Sequence, residues 1–154
     1  NKWQYISWAK SVDGVGDAKC LPLWNGAGTV KVIIVDSEKQ LAGSELINKV
    51  QSYIDEQCPI GADVTVTTAT AVSINVTFSA DVDESTIESI KSNIRSYLRD
   101  VSFANGYVSY AKIGQTILNT DGVDDYSNLK VNSKTENIAI SETEIAVLGG
   151  VAVG

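Results

Sequence analysis

Residues 72–82 alternate without a break: Val72, Ile74, Val76, Phe78, Ala80 and Val82 are interleaved with Ser73, Asn75, Thr77, Ser79 and Asp81. A period of two puts every apolar side chain on one face of an extended chain and every polar one on the other. The segment therefore predicts a half-buried, antiparallel-type strand. A helix signal follows. Ser85 and Glu88 stand at capping-box spacing. Ile87, Ile90, Ile94, Tyr97, Leu98 and Val101 then recur every three or four residues, which predicts a helix over about 85–100.

The rest of the chain gives further strands and helices. Thr29-Val30-Lys31-Val32-Ile33-Ile34-Val35 is short, β-branched and nearly all apolar, the pattern of a central strand buried on both faces. An extended segment at 15–24 precedes it across the turn Asn25-Gly26-Ala27-Gly28, so the two form a hairpin-like pair. Ser44 is placed to N-cap a helix over 45–57, with Leu46, Ile47, Val50, Tyr53 and Ile54 on one face and Pro59 and Gly61 ending it. Residues 62–70 read as a strand. After the loop at 102–106, residues 110–119 read as a short helix burying Ile113, Ile117 and Leu118. Asp121-Gly122 then turns the chain into three short strands at about 123–131, 136–141 and 144–148. The glycine-rich end, LGGVAVG, reads as a terminal strand or a frayed end.

A phrase also recurs. YISWAK (5–10) is followed by DGVGD (13–17) and the strand VKVIIV. YVSYAK (107–112) is followed by DGVDD (121–125) and NIAI. The order predicts a duplicated supersecondary unit, with residues 5–35 and 107–141 superposing as helix, Asp-Gly turn and hairpin. The expected fold class is α+β: two small subdomains, 1–70 and 71–154, with helices packed on mostly antiparallel sheets and possibly duplicated units.

Composition excludes most chemistry. The 154 residues carry 19 Asp+Glu against 12 Lys+Arg, a net charge of -7, and the lysines are scattered singly. A nucleic-acid partner needs a basic face that displaces counterions, and an anionic membrane surface needs the same, so neither is expected. No apolar run approaches the ~20 residues that span a bilayer. The N-terminus has no apolar h-region of a signal peptide. It lacks a starting Met and reads as a piece of something longer. There is no histidine, which removes Ser-His-Asp and Cys-His nucleophiles and the commonest metal ligand. No catalytic, cofactor-binding or metal-binding residue is expected.

Several features imitate sites. Asp81, Asp83 and Glu84 resemble the start of a calcium loop, but Thr86 and Ser92 stand where Gly and Glu are required. They read as acidic residues at a helix N-terminus. Asp121, Asp124 and Asp125 are the densest acidic group, a turn entry or a weak oxygen-ligand ion site. Gly14-Val15-Gly16 and Gly26-Ala27-Gly28 are turns, since neither continues into a phosphate-binding motif. Cys20 and Cys58 read as small buried thiols in a reduced compartment, with a bridge between them left open. Tyr5, Trp8, Tyr107 and Tyr110 are favoured as core or interface residues.

The stretch YVSYAKIGQTILNTDGVDDYSNLKVN, followed by NIAI and EIAVLGGVAV, resembles the C-terminal end of the baseplate J-like family of contractile-tailed phages and prophages. SWAKSVDGVGDAKCLPLWNGAGTVKVIIVDS is similar to the segment just upstream in that family. The resemblance covers essentially the whole chain and carries no catalytic motif. It implies a non-enzymatic, wedge-type structural component of the virion tail baseplate, oligomeric in the assembled particle and made in the bacterial host cytoplasm. Its partners would be other baseplate and tail proteins. The alternatives are a cell-surface or glycan-binding module using Trp8, Trp24 and the tyrosines, and, more weakly, a metal-dependent hydrolase.

Overall fold

A computed structural model describes all residues, 1–154. It is an α+β structure of four helices, two three-stranded sheets and one two-stranded sheet. The chain divides into two compact units, Asn1–Thr70 and Ala71–Gly154.

The first unit runs α1 (Lys2–Ser11), β1 (Val15–Pro22), β2 (Thr29–Asp36), α2 (Ser44–Gln57) and β3 (Asp63–Thr68). Asn1 caps α1, its side chain accepting from the Gln4 amide at 3.0 Å. β2 is central. β1 pairs with it antiparallel and β3 pairs with it parallel, from Thr29 beside Asp63 to Ile34 beside Thr68. Val32, Ile33, Ile34 and Val35 are all buried, as expected of a strand covered on both faces. The β1 register shifts between Val15 and Asp17, at Gly16. A Cβ there would run into the Asp36 carbonyl, so this bulge requires glycine. Ala9 of α1, Val32 and Ile34 of β2, Val50 and Ile54 of α2 and Val66 of β3 form one core.

The second unit runs β4 (Thr70–Ser79), α3 (Glu84–Val101), β5 (Tyr107–Val108), α4 (Tyr110–Leu118), β6 (Ser127–Val131), β7 (Ile138–Ala139) and β8 (Glu144–Val153). β4 is the alternating strand, with Ile74, Val76 and Phe78 buried and Ser73, Asn75 and Thr77 exposed. It lies between β6, which is antiparallel to it, and β8. Gly149 sits against Ser73 and Asn75, and the Gly154 amide donates to the Phe78 carbonyl at 2.9 Å. Both strands therefore advance together, and β8 runs parallel to β4. Ile90, Ile94 and Leu98 of α3 and Ile113 and Ile117 of α4 close the core over β4 and β6. The buried Thr120 side chain is satisfied: its hydroxyl accepts from Asn93 Nδ2 at 3.0 Å and donates to the Thr116 carbonyl at 2.9 Å.

Several local expectations need correction. The N-cap of α3 is Asp83, not Ser85: its Oδ1 accepts from the Thr86 amide at 2.8 Å and the Ser85 hydroxyl at 3.0 Å. Asp caps as well as Ser, and Asp83 stands in extended backbone two residues before Ser85. α2 starts on Gly43 with no side-chain cap, and Ser44 is its first helical residue. Leu118, the last residue of α4, is exposed, whereas Ile117 beside it is fully buried. The strands expected at 123–131 and 136–141 shrink to β6 and the two-residue β7, whereas all of LGGVAVG but Gly154 belongs to a ten-residue strand.

The repeat changes most. YISWAK lies wholly inside α1, while YVSYAK spans β5, the cap Ser109 and the first turn of α4. β6 pairs with β4, and β7 pairs with β5, so the second copy closes no hairpin of its own. Residues 5–35 and 107–141 thus differ in strand pairing. What recurs is a helix, an Asp-Gly turn and an antiparallel edge strand. In both turns the glycine is left-handed, Gly14 at φ 100° and Gly122 at φ 95°, a conformation that glycine adopts without strain.

Candidate functional site

The carboxylates do not assemble into a reaction centre. No group of three or more His, Cys, Asp or Glu side chains is placed to hold a metal ion. Asp121, Asp124 and Asp125 are all exposed, and Asp125 turns its Oδ1 to the Tyr126 amide at 2.8 Å. Asp124 and Asp125 do line an open groove of about 610 Å³ with Asp81, Ser79, Tyr126 and Gly154. Asp83 is occupied as a helix cap. Hydrogen bonds from the Thr86 backbone, the Thr86 side chain and Ser85 hold its carboxyl below the usual range.

Both cysteines are free thiols, Cys20 buried and Cys58 half-buried. Burial pushes each thiol up, so neither is an activated nucleophile. Tyr5 lies against Cys58, and its hydroxyl is likewise raised, first by burial and then by that thiol.

Three of the four singled-out aromatics serve packing. Tyr5 and Trp8 meet edge to face at 5.5 Å between ring centroids and pack on the first core. Tyr110 packs on the second core, its hydroxyl donating to the Leu129 carbonyl at 2.7 Å. Tyr107 is exposed. Trp24 is also exposed, but the Lys31 ammonium sits 4.9 Å from its ring centroid and occupies one face. No pair of open aromatic faces forms a sugar platform among these residues.

Three exposed large apolar side chains, Leu23, Trp24 and Ile60, stand on turns at one end of the first unit's sheet. β2 and β3 are parallel, so the β1–β2 turn and the turn before β3 share an end of the sheet; the Asp63 amide donates to the Gly28 carbonyl at 3.1 Å. Leu23 is 66% exposed and Ile60 fully exposed there, beside Trp24. The turn is stiff. Leu23 is held at φ 59°, its amide donates to Thr29 O at 2.8 Å, and the Thr29 hydroxyl donates to Gly26 O at 2.7 Å. Large apolar side chains on a preorganised turn are the usual anchors of protein interfaces. Sequence reasoning passed over Leu23 and Ile60. The signal available was an apolar residue inside a turn, Ile60 between Pro59 and Gly61.

Residues 1–68 match the baseplate J-like central domain, and residues 70–154 match the baseplate J-like protein C-terminal domain. The chain belongs to the baseplate J-like family. It is 37% identical over 166 residues to the phage-like element PBSX protein XkdT of Bacillus subtilis (strain 168), covering 99% of this chain and 47% of that protein. It is 25% identical over 162 residues to the baseplate protein gp47 of Escherichia phage Mu, covering 97% and 44%. The chain thus spans about half the length of the curated relatives it matches. Its fold also matches a chain in the cryo-EM structure of the anti-feeding prophage baseplate, with a TM-score of 0.68 at 7% identity over 94% of this chain and 36% of that one. No helix is long and apolar enough to cross a membrane.

Proposed function

We propose that this baseplate J-like chain is a structural, wedge-type component of a phage or prophage tail baseplate, and that it works by contacting neighbouring baseplate subunits and not by catalysis. The observation that carries this reading is the pair of consecutive family matches, over residues 1–68 and 70–154. The chemistry agrees: with no histidine and two thiols raised by burial, the side chains offer surfaces and not a reaction. In this reading the protein is made in the host cytoplasm and becomes oligomeric in the particle, with other baseplate and tail proteins as partners and neither nucleic acid nor membrane among them. The units 1–70 and 71–154 are its two domains here, each with its own core.

Deleting the gene from a tail-producing element tests it. The expected result is loss of complete tails in electron micrographs, restored by the full-length protein in trans, with the protein found in purified tails by mass spectrometry. Complete tails without the protein would overturn it.

A further inference from the structure

An asparagine followed by a small residue is a place where a chain can react with itself. The next amide nitrogen attacks the carboxamide carbon, and a neighbour with little or no side chain leaves that approach open. The chain has three such pairs: Asn25-Gly26, Asn105-Gly106 and Asn132-Ser133. Two of them are held. The Asn132 side chain is fixed at both ends, its Oδ1 accepting from the Asn75 amide at 2.8 Å and its Nδ2 donating to the Ser73 carbonyl at 3.0 Å. Asn25-Gly26 is fixed through its backbone. The Asn25 amide donates to the Thr29 Oγ1 at 3.1 Å, the Gly26 amide donates to the Leu23 carbonyl at 3.3 Å, and the Gly26 carbonyl accepts from the Thr29 hydroxyl at 2.7 Å. Attack at either place first has to break these bonds.

Asn105-Gly106, in the loop between α3 and β5, is free between two anchored points. The Asn105 amide donates to the Val101 carbonyl at 3.2 Å, and the Gly106 carbonyl accepts from the Ile140 amide at 2.9 Å. The groups that must meet lie between these anchors. They are the Asn105 carboxamide and the Gly106 amide, and neither has a hydrogen-bond partner in the chain. Both residues are exposed. Around the place where a Gly106 side chain would start there is room, the Ile140 carbonyl oxygen at 3.9 Å being the one neighbouring atom within 4 Å.

We propose that Asn105 is a site of self-modification, converted in the folded protein to aspartate and isoaspartate while Asn25 and Asn132 persist. The Gly106 nitrogen forms a bond to Asn105 Cγ, the Cγ–Nδ2 bond breaks, and Nδ2 leaves as ammonia with the proton that the Gly106 nitrogen gives up. The cyclic imide is then opened by water. Opening at Cγ gives aspartate. Opening at the backbone carbonyl gives isoaspartate, in which the chain runs through Cβ and Cγ and is one atom longer. One water is consumed and one ammonia released, with no oxidant or reductant. Either product places a negative charge in the loop. Isoaspartate also lengthens the link from α3 to Tyr107–Val108, the strand that pairs with β7 and carries the buried Val108.

Incubating the 154-residue chain in mildly alkaline buffer tests this, with samples taken over time, digested and mapped by mass spectrometry. Each conversion reads as replacement of an amide NH2 by OH, and isoaspartate is told from aspartate by labelling with an isoaspartyl methyltransferase. In the folded chain Asn105 should convert at least tenfold faster than Asn25 or Asn132. In urea the bonds around Asn25-Gly26 are gone, so Asn25 should then convert within threefold of Asn105, since both precede glycine. Equal rates at the two sites in the folded chain overturn the proposal, as does a ratio that urea leaves unchanged. Gly106→Val crowds the attacking nitrogen and should slow conversion of Asn105 at least tenfold while keeping the wild-type melting curve. Conversion of Asn105 in that variant at the wild-type rate would show that the Gly106 nitrogen is not the attacking group, and the proposal would fall.

Discussion

The two units build one layout from two chain orders. Each has a central strand with an antiparallel edge strand on one side and a parallel edge strand on the other: β1–β2–β3 in residues 1–70, β6–β4–β8 in residues 71–154. In each, one helix packs on the parallel edge strand, α2 on β3 and α3 on β8. A second helix reaches the antiparallel edge strand through an Asp-Gly turn. The order differs. The first unit places helix and edge strand before the centre and then crosses from β2 through α2 directly to β3. The second starts at the centre, and β8 arrives only after β5, α4, β6 and β7. Packing rules fix which layers cover which, but leave the route between them open.

The strongest way to break the comparison is to damage one core and watch the other. Ile54 of α2 and Ile94 of α3 are fully buried at corresponding places. Ile54→Ala and Ile94→Ala should each cost about 2–5 kcal/mol. All three tryptophans, Trp3, Trp8 and Trp24, lie in the first unit, so tryptophan fluorescence follows that unit alone. In urea, Ile54→Ala should move the fluorescence midpoint. Ile94→Ala should move the circular-dichroism transition and shift fluorescence by less than a third as much. Equal shifts in both signals would make the chain one cooperative unit and end the treatment of 1–70 and 71–154 as separate domains.

A smaller effect separates two crowded glycines. A methyl at Gly16 meets the Asp36 carbonyl, which is backbone and cannot move without opening the β1–β2 pair. A methyl at Gly114 of α4 meets the Tyr126 hydroxyl, the free end of a side chain. Gly16→Ala should therefore cost about 1–3 kcal/mol, as overpacking does. Gly114→Ala regains about 1 kcal/mol of helix propensity and should end smaller. Denaturant midpoints decide it, and a larger loss at Gly114 would show that Tyr126 is as fixed as backbone.

How much of this was legible in the sequence depended on whether a feature was local. The period-two run at 72–82 and the three-four spacing of Ile90, Ile94 and Leu98 named their faces correctly, because each is set by residues a turn or less apart. The continuous apolar run Val32–Val35 identified a central strand. Pairing partners were not legible. Nothing in DGVDD states that β6 joins a strand some fifty residues earlier, so two similar phrases were read as two hairpins. The acidic cluster at 121–125 offered residue types only, and the geometry shows Asp125 bonding its own turn.

The helix caps offer the finest test. α3 is capped by Asp83 and α2 begins at Gly43 without a side-chain cap, so the second unit holds an advantage at its helix start that the first lacks. Asp83→Ala should lower the urea midpoint of the second unit at neutral pH. The effect has a definite pH dependence. The Asp83 carboxyl is held below its ordinary value by the bonds from Thr86 and Ser85, so the folded state binds its proton less well than the unfolded state. Its contribution is complete above the unfolded value of about 4 and is lost as pH falls through the depressed folded value. The gap between wild type and Asp83→Ala should therefore close on acidification below about pH 4. A gap independent of pH would place the effect in the backbone and not in the charged cap. Gly43 is extended at φ -77° with open space around its Cβ position. Gly43→Ser should accordingly gain a few tenths of a kcal/mol by giving α2 an oxygen for its first amides. If it gains nothing while Asp83→Ala costs, the two helix starts differ in more than their caps, and the likeness between the units stops at the strands.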